Sequence, residues 1–287
     1  MLNSFKVDDD KLREIKDRIY KSQERKIRAI YKKIANEIYE EVYEGITEEE
    51  LRELKRNIED NIKKANKEIE AVINNNIKKI VSSTTLVHKN FLNEVDLKYG
   101  TSISNEYDKD TSKIEYKIIK DISKGKIYKD NRTLNKRIWI HNKKAIKDIN
   151  HIVNTGIKNK TNVYNIAKDL EKYVNPYEKK DFNWKKVYPN SNLKVDYNAQ
   201  RLARTSITHA YQEAYIESVK VNPLIEYIEY NAAHNSRVCS LCSVRDGKRF
   251  KPDDVPLDHP NGNCYLTSVM PDDLTDRIAD LVNKMDL

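Results

Sequence analysis

The chain has 287 residues, enough for one large or two modest domains; 34% of them are charged and the mean hydropathy is −0.82. No run of about 18 apolar residues occurs, and Met1-Leu-Asn-Ser-Phe-Lys-Val-Asp8 has no apolar stretch, so neither a membrane span nor a secretory signal is expected. The net charge of +8 is uneven: residues 181–287 hold 13 Lys/Arg against 15 Asp/Glu, which leaves +10 on residues 1–180. A basic half suits a polyanion neighbour, and a lysine-rich face also keeps long helices soluble.

All seven prolines lie at Pro176 or later. Before it the chain holds only Gly45, Gly100, Gly125 and Gly156, the punctuation expected of long helices. Three regions follow: a helical arm or bundle over 1–175, a linker over 176–195 rich in Lys, Asn and aromatics with Trp184, and an α+β domain over 196–287. The fold class is mainly α with a C-terminal α+β domain, in which long N-terminal helices precede a small sheet with a Cys/His knuckle.

In chain order, Leu12, Ile15, Ile19, Ile27, Ile30, Ile34, Ile38 and Val42 form one apolar stripe, which predicts a helix over about 8–44 ending at Gly45. Thr47 and Glu50 form a capping box for a second helix. Its stripe from Leu51 to Ile80 carries it to about 81 or, with a break, to 99. Helices with stripes this narrow need partners, and an intramolecular hairpin is favoured over a dimeric coiled coil. Ile114, Ile118 and Ile122 mark a short third helix. Helical segments follow around Arg137-Ile-Trp139 and Ile146–Val153 up to Gly156, and again over 162–174.

Residues 199–221 read as a helix in which Arg201 and Arg204 share a face. They suit a phosphate or carboxylate, with an internal ion pair favoured. A strand is expected over 226–233, where Tyr227, Glu229 and Asn231 alternate with Ile228 and Tyr230. Another is expected over 265–270, before an amphipathic helix over 272–284.

All three cysteines lie between Val238 and Thr267. Cys239 and Cys242 form a C-x-x-C pair; His259 and Cys264 follow after a proline-rich loop. Three thiolates and an imidazole are a usual structural zinc set, so Cys239, Cys242, His259 and Cys264 are the candidate ligands, with Asp258, beside His259, as a substitute. Free buried thiols and a disulfide are the alternatives. Asp246-Gly247 predicts a tight type I′ hairpin turn.

This stretch resembles the C-terminal motif of the phage minor head proteins of the Mu F type, the head-morphogenesis proteins. Their pattern is a C-x-x-C, an Asp-Gly-Lys hairpin with a following Phe, then His-Pro-Asn-Cys-Arg-Cys. The matching pieces are Cys239-Ser-Leu-Cys242, Asp246-Gly247-Lys248-Arg249-Phe250 and His259-Pro260-Asn261-Gly262-Asn263-Cys264. Gly262 stands where the family has the first cysteine of its Cys-x-Cys, and Asn263 where it has arginine. Upstream, Gly125, Arg137, Ile138, Trp139, Thr161, Ala167, Leu170, Arg201, Arg204 and Thr205 also follow the family, with Ser206 in the place of its glutamate. The resemblance covers roughly 125–270.

The resemblance implies a minor capsid protein of a tailed phage, present in few copies inside the head at the portal vertex. By the same resemblance it would be assembled in the host cytoplasm and would not be an enzyme. The implied partners are the portal protein, the major capsid or scaffolding protein, and DNA contacted without sequence preference or ejected with the protein; no membrane is implied. Zinc would be structural.

Two rivals stand beside this reading. Asp258-His259 after a C-x-x-C faintly resembles the core of an HNH-like metal-dependent nuclease, yet no histidine follows His259 to complete its metal clamp. A coiled-coil scaffold explains the first half alone. No Gly-rich phosphate loop, serine nucleophile elbow or H-E-x-x-H occurs.

Overall fold

The computed structural model describes residues 7–177, 195–233 and 238–285. Most of the expected linker over 176–195, including Trp184, lies outside these residues. The described elements are α1 (Asp9–Glu41), α2 (Glu48–Tyr99), α3 (Ile103–Lys124), α4 (Leu134–Lys158), α5 (Val163–Val174), α6 (Val195–Lys220), β1 (Tyr227–Asn231), α7 (Ser240–Arg245), β2 (Lys248–Phe250), β3 (Tyr265–Val269) and α8 (Leu274–Met285). The fold is mainly helical, with a small antiparallel sheet near the C-terminus. No helix among the described residues is long and apolar enough to cross a membrane.

The chain forms two compact units. One draws on Lys21–Asn74 and Asp130–Ala203. In it α1 and α2 make an intramolecular hairpin around Gly45, whose φ of +101° a side chain would strain. The capping box forms in both directions: the Glu50 N–H donates to Thr47 Oγ1 (3.2 Å) and the Thr47 N–H to Glu50 Oε2 (2.8 Å). Asn57 and Asn61 donate back to Glu41 and Glu37, an antiparallel pairing. The stripe residues Ile27, Ile34, Ile38, Leu51, Leu54, Ile58 and Ile62 are buried, as the amphipathic pattern requires.

Thr133 caps α4 and Asn162 caps α5 with their side-chain oxygens. Gly156 punctuates nothing; it lies inside α4. A Cβ there would come within 2.6 Å of the Ile166 side chain on α5, so glycine lets the two helices approach closely. The α5 face of Ile166, Ala167, Leu170, Tyr173 and Val174 is buried, and the Tyr173 hydroxyl donates to Asp148 of α4 (3.0 Å).

The other unit draws on Met1–Tyr20, Asn75–Lys129 and Arg204–Leu287. Helix α2 runs to Tyr99 without the anticipated break. Asp96 accepts the Ile103 and Ser104 N–H groups (2.9 Å each) and so caps α3, whose end is closed by Gly125 in the left-handed conformation. The buried Tyr107 hydroxyl contacts the Thr85 carbonyl and Ser218.

The sheet order is β2-β1-β3, all antiparallel. Tyr230 pairs with Lys248 and Leu266, and Ile228 with Phe250 and Ser268. Ile228 and Tyr230 are buried while Tyr227, Glu229 and Asn231 are partly exposed, the alternation read from the sequence. The first turn of α1 reaches this sheet: Asp9 accepts the Tyr215 hydroxyl (2.6 Å) and the Ser268 N–H (3.1 Å).

The expected type I′ hairpin does not form. Strand β2 pairs with β1 across the whole cysteine connection, so Asp246-Gly247 does not join two adjacent strands. Asp246 sits at φ −56°, ψ 128° and Gly247 at φ +70°. That is a type II turn, which needs positive φ only at its second central residue. Asp246 then accepts the Ala232 N–H (2.7 Å) and Gly247 donates to the Tyr230 carbonyl (2.8 Å), joining the turn to the end of β1.

Candidate metal centre

The C-x-x-C pair sits at the start of α7. Cys239 is its N-cap, with φ −88° and ψ 165°, and its carbonyl accepts the Ser243 N–H. Cys242 is one turn on and buried, and its carbonyl accepts the Asp246 N–H. The chain then forms β2, a 3₁₀ turn over Pro252–Asp254, and the loop that carries Asp258, His259 and Cys264 into β3.

Helix α6 clasps this loop with a row of polar side chains. Thr205 Oγ1 accepts the Asn261 N–H (2.8 Å), and Arg204 Nη1 donates to Asn261 Oδ1 (3.1 Å). Thr208 donates to the Gly262 carbonyl (3.0 Å). His209 Nε2 lies 3.0 Å from the Asp258 carbonyl, and Gln212 accepts the Asp258 N–H (2.8 Å). The Tyr211 hydroxyl binds the Leu266 N–H (2.9 Å). From α1, the buried ammonium of Lys16 donates to the Cys264 carbonyl (2.8 Å), and the Tyr20 hydroxyl bonds Thr208. These bonds satisfy backbone groups that a buried loop would otherwise leave unpaired.

The predicted ligands fall into two overlapping groups. The ligand atoms of Cys239, Cys242 and His259 lie within 4.8 Å of one another, and so do those of Cys242, Asp258 and Cys264. Cys242 belongs to both, and its sulfur is 3.4 Å from that of Cys264. All three cysteines are free thiols. Cys264 is thus brought beside Cys242 and Asp258, and His259 beside the C-x-x-C pair.

The donors fit a zinc-type ion: thiolate sulfur, imidazole nitrogen and a carboxylate. Hydrogen bonds from Cys242 hold the Cys239 thiol below its ordinary pKa, with His259 acting in the same direction. Burial pushes Cys242 well above the ordinary thiol range and raises Cys264 as well. Ligation of those two sulfurs must therefore displace their protons, so the affinity of such a site falls as pH falls.

Asp258 is 3% exposed. Oδ1 accepts the Tyr230 hydroxyl (3.2 Å) and the His259 N–H (2.8 Å), while Oδ2 accepts the Cys264 N–H (3.2 Å). The sequence reading names Asp258 both as half of a nuclease-like pair with His259 and as a substitute ligand. It passes over Lys16, Thr208, His209 and Gln212. The last three carry a faint signal: Thr205, Thr208, His209 and Gln212 recur at helical spacing and form a polar stripe on a buried helix.

Residues 147–266 match the family model of phage Mu protein F like proteins, a phage head-morphogenesis family. Neither a curated protein nor a solved structure matches the chain. The matched region is under half of the chain and runs from within α4 into β3, taking in all four candidate ligands and the helix that clasps their loop. It bears out the resemblance carried by the motifs there. Gly125 and Arg137-Ile-Trp139 lie outside it.

Proposed function

We propose that this chain is a minor capsid protein of a tailed phage that acts in head assembly, bound to the portal protein inside the head at the portal vertex. The observation that carries the reading is the Mu F-like region over 147–266, which contains the cysteine loop and the α6 row that holds it. The role is structural rather than enzymatic. Asp258, the one carboxylate placed like a nuclease base, is buried and engaged by Tyr230, His259 and Cys264, and so does not face a substrate.

The major capsid or scaffolding protein is a second partner during assembly in the host cytoplasm. DNA is a third, contacted through the basic residues of the first 180 positions without base reading and accompanied on ejection. Cys239, Cys242, His259 and Cys264 are the proposed ligands of a structural zinc ion that ties the C-x-x-C turn to the loop before β3. Residues 1–175 and 196–287 are proposed as the helical and α+β parts on either side of the linker, with the Mu F-like match reaching into both.

The test is co-expression of the full chain with the portal protein of its own phage, followed by a density map of the head vertex. Co-purification with the portal ring, and density for the chain on its inner side, are the expected results. Mature heads that form with normal yield and DNA content without the chain would overturn the reading.

A further inference from the structure

Position 262 is where the Mu F pattern carries a cysteine and this chain carries glycine. A Cβ built on Gly262 would lie 2.1 Å from Asp258 Oδ2, 2.3 Å from its Cγ and 2.4 Å from Oδ1. Real Cβ atoms do not approach other heavy atoms so closely, so the Asp258 carboxylate fills the space that any side chain at 262 would enter. That carboxylate is buried, and one of its oxygens shares a mutual distance limit of 4.8 Å with the sulfurs of Cys242 and Cys264. The sulfur missing at 262 has an oxygen donor in its place.

We propose that Asp258 is a ligand of a divalent metal ion, together with Cys242 and Cys264. This revises the ligand set of the metal-centre reading, with Asp258 in the place of Cys239, and is independent of the head-assembly reading. His259 supplies the fourth position; its Nε2 lies 3.9 Å from Asp258 Oδ1. Cys239, at the N-cap of α7, groups with Cys242 and His259 but not with Asp258 and Cys264, and is left out of this set.

The charges balance. Binding releases the two thiol protons of Cys242 and Cys264 to solvent and forms two metal–sulfur bonds. Two thiolates and one carboxylate around a 2+ ion leave one negative charge. The Lys16 ammonium, buried and bonded to the Cys264 carbonyl, offsets it. A buried cation paired with a metal–ligand cluster satisfies the rule that interior charges are compensated.

The test uses the full chain purified without chelator, with zinc measured by elemental analysis and affinity by competition with a chromophoric chelator. One equivalent of zinc is expected. Asp258→Asn, which preserves shape and most loop hydrogen bonds, should weaken zinc binding by roughly tenfold or more, since even outer-shell changes cost that much. Asp258→Ala should lose the ion. Asp258→Ala/Gly262→Cys should regain it, because removing the carboxylate frees the space for a sulfur. With cobalt(II) in place of zinc, that double variant should show stronger thiolate-to-metal absorption than the wild type. Cys239→Ser should keep the ion.

A wild-type chain that binds no zinc overturns the proposal. So does unchanged affinity in Asp258→Asn, or loss of zinc in Cys239→Ser while Asp258→Asn retains it. Thermal melts in excess chelator separate misfolding from lost ligation. If Asp258→Ala alone does not fold, Asp258→Asn and the double variant carry the test. None of these outcomes bears on whether the chain enters phage heads.

Discussion

The Lys16 ammonium lies 2.8 Å from the Cys264 carbonyl oxygen, a bond between residues 248 positions apart. Lys16 is 1% exposed, and its ammonium also sits 4.7 Å from the centre of the Tyr211 ring. One lysine thus ties the first turns of α1 to the residue just before β3. Lys16→Met keeps most of the aliphatic volume and removes the donor. It should cost about 1–3 kcal/mol in urea unfolding, the penalty for an unpaired buried carbonyl, and should raise the reaction rate of the Cys264 thiol with a thiol probe. An unchanged rate would mean that α6 alone holds the loop.

His88 is fully buried, and its ring packs edge-on against Tyr215 at 4.8 Å between centroids. Burial pulls its pKa from 6.5 down to about 3. The folded state therefore binds its proton less readily than the unfolded state, and stability is lost as pH falls from 6.5 towards 3. By pH 4 the loss from this group is about 3 kcal/mol, at 1.36 kcal/mol per pH unit. Asp9, which burial raises to about 7, contributes with the opposite sign between pH 4 and 7. Comparing the wild type with His88→Leu cancels that contribution. The variant should be flatter in chemical denaturation between pH 6.5 and 4; parallel curves would show that the histidine escapes burial before it titrates.

Gly156→Ala should destabilise the chain by about 1–3 kcal/mol, the usual cost of overpacking. The added methyl meets Ile166 Cδ1 and Cγ1 at 2.6 Å. Ile166→Val removes the outer of those atoms, so the double variant should be less destabilised than the sum of the two single changes. Strict additivity would place the strain elsewhere on α4.

What the sequence made legible was local. The Thr47/Glu50 box, the left-handed Gly125 and the alternation of Tyr227–Asn231 depend on neighbours a few positions away, and the structure keeps them. The features it hid depend on distant partners. Asp246-Gly247 reads as a hairpin turn until β2 is seen to pair with β1 across the cysteine connection. Gly156 reads as a helix end until Ile166 is placed beside it. At the candidate site, the cysteines and His259 announce themselves by spacing. Asp258 is singled out only by its place beside His259, and Lys16 and Gln212 not at all, because they are ordinary polar residues until the fold buries them.

The basic charge of the first 180 residues has a defined surface on α4. Lys136, Lys143, Lys144 and Lys147 are exposed, and the ammonium groups of Lys136 and Lys143 stand 4.7 and 4.0 Å from the ring centre of the half-exposed Trp139. The one carboxylate of the helix, Asp148, is buried against the Tyr173 hydroxyl and does not screen them. Reversing Lys136, Lys143 and Lys147 to Glu in the full chain should weaken binding to random duplex DNA. It should also lower the slope of log affinity against log salt by about 0.9 for each phosphate no longer neutralised. Equal affinity and slope in the two proteins would leave these lysines a solubilising role.

Cleavage between the two sequence halves should not separate them. Residues 1–20 and 75–129 pack with 204–287 in one compact unit, and Asp9–Tyr215, Lys16–Cys264 and Tyr107–Ser218 are hydrogen bonds within it. A site-specific protease sequence placed within 178–194 breaks the chain without touching any of these bonds. Because the interactions lie in a buried core rather than on exposed ion pairs, they are insensitive to salt. The two fragments should therefore co-elute in gel filtration at high ionic strength and part only in denaturant, in a single transition. Fragments that separate in native buffer would instead make 1–175 and 196–287 independent domains, the division that the distribution of prolines suggests on its own.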